Sequence, residues 1–571
     1  MAFGKKPVKL FMHLWFTYEG TLPGKYDFFK RLVWDVLKEQ APSIKLCLSR
    51  FENHPSYQSK EYQALVDLLS RQDRPLSAYW ISTFYALSLG EKKRRDLGAY
   101  FTPPDLSSLL VEEVLRILDK DPFQCSFADI CCGGGALLVP LAKVLIQKME
   151  ELKFGSEEIV ETTQNCLVGQ EMDPFLLQLT RVYLIAELDE HIRTSSMWPE
   201  LSLYLGDALR HTPFVDKFDV IVGNPPYKAL TKNEDRELRS YFGHIMKWNS
   251  NFYPLFLDKS LSLLKPDGIL SAIVPTSLYT SKNFVRVRKR ISKAGTVASI
   301  FWLTNRKGVF HDVLQEISVI TIDCSLSSKK SETLIRSLGK GFDSNFKTRI
   351  PCRQGEKTWP IPKTEEQANL LGSIKNVPFR IKDYGYSVHI GHLVWNRDRR
   401  QRFVSFPKYG RRRGVFPIIW PFQIDPEKGL VLYPHRCGKK EYFIQMGGDR
   451  RGVVTNKSLV LKRTTSSGSS KLLSCSPVPD KIMEHYGGFV AENHVIVLQK
   501  NSCTQAVDPH VLASVLNSSP VNLVYQCFSG TVSVSRHALE SLPLPDPGIV
   551  QSCVGVGNDI EKSVLVGYGV G

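Results

Sequence analysis

The stretch Phe218-Asp219-Val220-Ile221-Val222-Gly223-Asn224-Pro225-Pro226-Tyr227 decides the reading of this chain. Its first six residues form an apolar run of strand length, the pattern of a strand buried in a sheet. Two prolines then end the ladder and fix the backbone. An amide and an aromatic ring are thereby held at a strand's carboxyl end, the edge at which open α/β sheets bind ligands. The Asn224 side-chain oxygen and the Pro225 backbone carbonyl are acceptors for a planar amino group. The Tyr227 ring offers a face to a flat heterocycle. Asn-Pro also starts ordinary surface turns, so the surroundings of the stretch carry the argument.

Upstream, Phe127-Ala128-Asp129-Ile130-Cys131-Cys132-Gly133-Gly134-Gly135-Ala136 reads as a strand, a glycine turn and a helix start. Glycines allow the sharp bend and a close approach to a ligand. Asp129 ends the strand and is placed to pair with a ligand amino group. Cys131 and Cys132 sit in the turn as small packing residues. A second strand, Leu167-Val168-Gly169-Gln170-Glu171-Met172-Asp173-Pro174, brings Glu171 to the position of an acid that accepts ribose hydroxyls. Pro174 suits the first turn of a helix over 175–186. A third element, Leu203 to Leu209, brings Asp207 as an acceptor for an adenine amino group. Each acid taken singly serves equally well as a helix cap; three at successive strand ends point to one site. No lysine follows the glycines, so the turn is not a P-loop, and it departs from the dinucleotide fingerprint. A nucleoside without a polyphosphate fits, and S-adenosylmethionine is such a molecule.

With these residues in place, the chain resembles the N6-adenine DNA methyltransferases of type II restriction–modification systems, the gamma subclass with the Asn-Pro-Pro-Tyr motif. Asp129 to Gly135 is similar to the family's cofactor loop, with Ile130 where proline is common. Gly169 to Pro174 is similar to the ribose motif and Gly206-Asp207-Ala208 to the adenine-contacting motif. Leu97 to Pro104 resembles the leading motif, whose threonine, here Thr102, contacts the methionine end of the cofactor. Lys265 to Pro275 resembles the fifth-strand motif. Val309-Phe310, followed by a strand over 316–322, resembles the motif that supplies a second aromatic to the target base; a core aromatic is the other reading of Phe310. The resemblance implies a catalytic set of Asn224, Pro225, Pro226 and Tyr227. Its cofactor set is Thr102, Asp129, Cys131, Gly133, Gly135, Glu171, Met172, Asp207 and Ala208. Tyr227 and Phe310 would flank the target base. It implies a seven-stranded class I methyltransferase sheet with one antiparallel strand, S-adenosyl-L-methionine as cofactor with no metal, and a separately encoded companion endonuclease.

Alternating strands and helices from 96 to 325 predict a doubly wound, mostly parallel α/β sheet. A mainly helical region occupies 1–95, with helices over 62–71 and 76–89. Its Glu91-Lys92-Lys93 lacks the Pro-Asp partner of a nuclease site. Residues 326–369 are polar and read as a linker. Short strands and Gly/Pro turns over 370–545 read as an α+β target-recognition domain, and 546–571 as a poorly ordered tail.

The chain has 571 residues, 43% of them hydrophobic, and a formal net charge of +17. Such a length exceeds one compact core. No apolar run reaches membrane-spanning length. Twelve cysteines show neither disulfide rhythm nor paired zinc spacing, which fits the reducing cytoplasm of a bacterial or archaeal cell, beside the nucleoid. Between Lys375 and Lys471 there are 21 Lys/Arg and 6 Asp/Glu, a surplus of 15. That concentration suits a polyanion-binding surface, although a solvated basic face has the same composition. Arg397, Arg399, Arg400, Arg411, Arg412, Arg413, Lys462 and Arg463 are the candidate contacts to double-stranded DNA, with Trp395, Phe403, Phe406, Tyr409, Phe416 and Trp420 interleaved. Monomeric action is expected, because one chain carries both chemistry and recognition. Competing readings are an RNA-adenine or protein-glutamine methyltransferase, a cytosine-N4 methyltransferase, a methylation subunit served by a separate specificity subunit, and a non-enzymatic specificity or adaptor subunit.

Overall fold

The structure is a computed structural model. It describes residues 6–18, 25–48, 55–90, 94, 101–214, 217–247, 250–303, 316–325, 332–339, 344–351, 358–374, 377–411, 413–431, 441–448, 450–464, 471–501, 506–529, 533–557 and 559–570. The chain divides into two compact units, 1–278 with 283–356 and 279–282 with 357–571.

The first unit is built on a mixed sheet. Its strands are β1 (Phe127–Asp129), β2 (Leu167–Glu171), β3 (Ser202–Leu205), β4 (Phe218–Gly223), β5 (Leu264–Pro275), β6 (Thr296–Leu303), β7 (Ile317–Asp323), β8 (Glu332–Leu338) and β9 (Ser344–Pro351), in the order β3-β2-β1-β4-β5-β7-β6-β8-β9. The chain winds outward from β1 to β3, then returns to β4 beside β1 and winds the other way. The β1/β4 boundary is therefore the topological switch point, where side chains at the strand ends can diverge around a ligand. Strands β1 to β5 pair in parallel, and β7 lies antiparallel between β5 and β6.

The sheet has nine strands where seven were expected. The added pair, β8 parallel to β6 and β9 antiparallel to β8, lies in the stretch read as a linker. Its outer strand, Ser-Asn-Phe-Lys-Thr-Arg-Ile-Pro, is half-buried or exposed at every position. An edge strand wet on both faces carries no apolar run, so its polarity imitates a loop.

The described residues of the first ninety form helices α1 (Lys6–Tyr18), α2 (Lys25–Leu37), α3 (Lys60–Ser70) and α4 (Arg74–Ser88). Ser59 caps α3 by accepting from Tyr62 N at 3.1 Å, and Asp73 caps α4 by accepting from Leu76 N at 3.1 Å. Phe11 and Phe84 stack at 4.6 Å between centroids. These residues share one continuous apolar cluster with Phe127 of β1 and Val220 of β4, so the helices are built into the sheet's own core. A further helix, α5 (Pro104–Ile117), leads into β1, and the helices between strands are α6 (Leu138–Glu151), α7 (Ser156–Cys166), α8 (Pro174–Glu187), α9 (Asp189–Ser195), α10 (Lys232–Phe242), α11 (Phe252–Leu263) and α12 (Val285–Ala294).

In the second unit a four-stranded sheet, Tyr386–Ile390, Val495–Lys500, Ser458–Lys462 and Cys475–Pro477, is antiparallel throughout. A five-stranded sheet contains Val415–Ile419 and Phe489–Ala491. Helices follow at 509–517, 519–528 and 536–541. The segment expected as a poorly ordered tail instead forms helices at Pro547–Gly555 and Ile560–Gly567. Val550, Val564 and Tyr568 are buried in the same cluster as Leu512 and Tyr525. Val550 with Val554, and Val564 with Tyr568, each four residues apart, supply that anchor, and the many glycines conceal it. Among the described residues no helix is long and apolar enough to cross a membrane.

Asp219, second residue of β4, anchors the strand at the end opposite the switch-point crevice. Its carboxylate accepts from Ser126 N and Oγ, both at 3.0 Å, from Lys265 Nζ at 2.6 Å and from Lys120 Nζ at 2.9 Å. These partners hold its carboxyl below the usual range against the opposing cost of burial. Asp219→Ala leaves the half-buried Ser126 N–H and hydroxyl without their acceptor. It is expected to lower unfolding free energy by about 3 kcal/mol, less than a fully buried pair because both lysines are partly wet. Urea denaturation checks this, and a loss under about 1 kcal/mol would remove the anchoring role.

Candidate active site

Asp129 closes β1, and its Oδ1 accepts from the Cys131 amide at 3.0 Å. The glycine turn follows, with Gly133 at φ +56° and Gly135 at φ +82°, a left-handed backbone that side chains with a Cβ rarely adopt. That path aims the Gly133 N–H at Glu171 Oε2, 3.0 Å away at the end of the neighbouring strand. Glu171 Oε1 accepts from Asp173 N at 2.9 Å. Asp173 caps α8 by accepting from Phe175 N and Leu176 N at 2.9 and 3.1 Å. One chain of hydrogen bonds thus runs from the glycine turn through the β2 acid to the next helix.

A pocket opens at this edge. Of the sequence-predicted residues, it is lined by Thr102, Asp129, Cys131, Gly133, Glu171, Met172, Asp207, Ala208, Asn224 and Pro226. Gly135, Pro225 and Tyr227 are not on the wall. Gly135 shapes the turn from behind, and Tyr227 packs against the core cluster of the sheet. Sequence reasoning missed other parts of the wall: Tyr85 and Leu89 from the α4 end, Phe101, and Phe256 of α11. Phe101 lies within the Leu97 to Pro104 motif, next to Thr102, and was open to prediction. Tyr85 lies 88 residues from its partner Asp173 and carries no local signal.

Asn224 is fixed from both sides. Its Nδ2 donates to Thr102 Oγ1 at 3.0 Å, and its Oδ1 accepts from the Tyr227 hydroxyl at 2.7 Å. The same hydroxyl lies 3.4 Å from the Ile273 carbonyl. Tyr227 therefore has a polar task beside any stacking role, because it sets which way the amide faces. Asp207 Oδ1 accepts from Leu209 N at 2.9 Å, and Asp207 also pairs with Arg210, which in turn binds Glu237 at 2.7 Å.

The two inner acids lie in a strongly desolvated place. Burial pushes the Asp129 carboxyl up to about 7, against the lowering effect of the Cys131 amide. Burial raises Glu171 as well, opposed by its backbone donors. No lysine or arginine is among the described hydrogen-bond or ion-pair partners of either acid. A pocket whose floor carries two costly, cation-free carboxyls suits a ligand that brings its own ammonium and hydroxyl donors. Cys131 and Cys132 are pushed far above the ordinary thiol value by burial, which makes them packing groups rather than nucleophiles.

In the second unit, Arg397, Arg399, Arg411 and Arg413 are exposed. Arg400 is half-buried and held by Asp398, with Nε 3.0 Å from both carboxylate oxygens. Arg411 donates to the backbone carbonyls of Glu484 and His485. Lys462 and Arg463 are half-buried, and Arg463 donates to the Asn493 carbonyl at 3.0 Å. Trp395 and Tyr409 are exposed. Phe416 and Trp420, interleaved with the basic run in sequence, are buried in an apolar cluster with Ile444 and Val490. Their place inside strand Val415–Ile419 and at its end accounts for that burial. Arg412, Phe310 and the leading motif before Phe101 lie outside the described residues.

Residues 165–310 match the family described as Eco57I restriction-modification methylase. The chain is 23% identical to the type II methyltransferase M.BsuBI of Bacillus subtilis over 481 residues, covering 81% of this chain and 90% of that protein. It is 34% identical to the type II methyltransferase M.HincII of Haemophilus influenzae over 167 residues, or 24% of this chain and 32% of that one. The fold is like that of the type IIL restriction-modification enzyme MmeI, solved in complex with DNA. The TM-score is 0.57 at 12% identity, over 99% of this chain and 96% of that one. These likenesses support a restriction–modification methyltransferase.

The raised Asp129 value sets a pH dependence in the ligand-free protein. The folded state holds a proton on Asp129 from about pH 4, the ordinary range of a carboxyl, up to about 7. The unfolded chain has released it, so this group's contribution to stability falls as pH rises through that window and stays lost above it. Asp129→Asn, whose amide oxygen still accepts from Cys131, is expected to flatten that slope and stabilise the ligand-free protein at pH 8. Thermal melts from pH 4 to 8 check this; parallel profiles for the two proteins would contradict the assignment.

Proposed function

We propose that this chain is a site-specific DNA methyltransferase that moves a methyl group from S-adenosyl-L-methionine to N6 of an adenine swung out of the duplex. The observation that carries the reading is the two-sided restraint of Asn224 beside a pocket floored by Asp129 and Glu171. Asp129 would receive the donor's ammonium group, which relieves the penalty on its charged form. Glu171 would receive the ribose hydroxyls. Asp207, with Met172 and Ala208 beside it, belongs to the adenine end, and Thr102 to the methionine end. The bound donor supplies an electrophilic methyl group on a sulfonium.

Adenine N6 faces its pairing partner inside a duplex, so the base has to leave the stack at a cost of a few kcal/mol. Stacking on an aromatic face returns about 1–3 kcal/mol; Tyr227 and Phe310 are the proposed faces. The N6 lone pair is delocalised into the ring and is a weak nucleophile. Asn224 Oδ1 and the Pro225 carbonyl accept the two N6 hydrogens and draw the nitrogen out of conjugation. The lone pair then points at the methyl carbon and displaces the sulfide in one step. N6 gains a bond to carbon, the carbon–sulfur bond breaks with its electron pair going to sulfur, and the extra N6 proton leaves afterward to solvent. Alignment supplies much of the acceleration. None of these steps calls for a metal.

The second unit would hold the DNA through the exposed arginines, and the methylated site would be protected from a companion endonuclease. The chain would act as a monomer in the cytoplasm of a bacterium or archaeon. A basic second unit proposed to hold the duplex within this same chain favours this reading over methylation of RNA or of a protein glutamine, and over service as one subunit of a larger system.

Asn224→Ala is expected to abolish methyl transfer to DNA, by at least about a thousandfold, while changing the donor's Kd by no more than several-fold. Tritiated-methyl transfer and calorimetry check this, and turnover near the parent rate would sink the assignment. Replacing Arg397, Arg399 and Arg413 together by glutamine is expected to weaken DNA binding and to reduce the log–log salt slope by about 1 for each phosphate no longer neutralised. An unchanged slope in a fluorescence-anisotropy titration would move the DNA surface elsewhere.

A further inference from the structure

The helices before the sheet do more than extend its core, because α4 lies directly behind the glycine turn. A Cβ built on Gly134 would fall 2.1 Å from Ser82 Oγ and 2.9 Å from Leu179 Cδ2. Ser82 is buried, so the turn is pressed between α4 and α8 with no room for a side chain. Along the same helix, Arg74 pairs with Glu187 at 3.2 Å and Ser77 shares a hydrogen bond with the Tyr183 hydroxyl at 2.6 Å. The register of α4 against α8 is therefore fixed by polar contacts as well as by packing.

At its carboxyl end α4 reaches the pocket itself. Tyr85 and Leu89 stand on the pocket wall with Glu171 and Asp173. The Tyr85 hydroxyl donates to Asp173 Oδ2 at 2.9 Å. Its ring rests on Phe175 at 4.4 Å between centroids and meets Phe29 edge-on at 5.5 Å. Asp173 Oδ1 is taken by the two amides that open α8, so Tyr85 supplies the described donor to the other oxygen. Burial and the Asp173 charge keep the phenol protonated far above neutral pH. The route continues from Asp173 N to Glu171 Oε1 and from Glu171 Oε2 to Gly133 N.

We propose that α4 is part of the donor-binding site: Tyr85 positions the ribose-binding carboxylate Glu171 through Asp173, and Tyr85 and Leu89 form the wall on that side. The inference rests on the nucleoside-donor reading above and adds a function for the region preceding the sheet. Without the hydroxyl, Asp173 Oδ2 loses its described donor, and the residue whose backbone N–H holds Glu171 Oε1 loses a tether. The donor loses a fixed carboxylate at its ribose end, whereas Asn224 is held by its own contacts to Thr102 and Tyr227. The loss therefore falls on binding rather than on the chemical step.

The test uses the full chain with S-adenosylhomocysteine in calorimetry, together with donor KM, kcat and the melting temperature without ligand, for Tyr85→Phe and Leu89→Ala. Tyr85→Phe keeps the ring and its packing and removes only the hydroxyl. The expected result is a Kd weaker by about 3–10-fold, the range of one hydrogen bond, with donor KM rising in parallel and kcat within about twofold. Leu89→Ala, half-buried at the helix end, is expected to weaken the Kd by a similar factor and decides the matter if Tyr85→Phe does not fold. Parent-like affinity in both variants, or a fall in kcat with KM unchanged, overturns the proposal while leaving the methyltransferase reading in place. Failure of the parent protein to bind either S-adenosylhomocysteine or S-adenosylmethionine overturns the methyltransferase reading, and this inference with it.

Discussion

The bond from the Gly133 N–H to Glu171 Oε2, 3.0 Å long, holds the site together. It needs a backbone turned left-handed at Gly133, a carboxylate presented by the end of β2, and a sheet order that sets β1 beside both β2 and β4. Each requirement is met by a different part of the sequence. The sheet order follows from the outward winding of β1 to β3 and the return to β4. Once that bond closes, Asp129, Glu171 and Asn224 sit on one rim, although 95 residues separate the first from the last.

Desolvation gives the rim its character. Carboxyls with no cationic partner are expensive to ionise in a buried setting. The fold tolerates them because backbone amides from Cys131, Gly133 and Asp173 stabilise the charged forms in part. A ligand carrying an ammonium group and vicinal hydroxyls completes what those amides begin. Asn224 has the opposite character. Its amide is neutral, held by Thr102 on one side and Tyr227 on the other, and so is presented in one orientation without a charge. A pocket with charge at the donor end and a neutral, oriented acceptor at the reacting end matches the needs of a direct methyl displacement.

Much of this was legible in the chain. Apart from the anchoring Asp219, Phe218 to Gly223 is apolar because β4 is buried along its whole length, and the acids at the ends of β1 and β2 stand out against such runs. Asn224 followed by two prolines marks a strand end by covalent geometry alone. What escaped were features whose signal is not local. Strand β9 is polar at an open edge and resembles a loop. The helices at Pro547–Gly555 and Ile560–Gly567 are anchored by few side chains among many glycines. Trp420 and Phe416 lie in a basic stretch yet point into a core. Tyr85 reaches Asp173 only through the packing of α4 on α8, and no spacing rule connects them.

The central claim is chemical and has a direct readout. Purified protein is incubated with unmodified genomic DNA and S-adenosylmethionine carrying a deuterated methyl group, and the DNA is digested to nucleosides for mass spectrometry. The account predicts deuterated N6-methyldeoxyadenosine, confined to one sequence context when the product is sequenced. Deuterium found only on cytosine, or absent from every nucleoside while the donor is shown to bind, would contradict it.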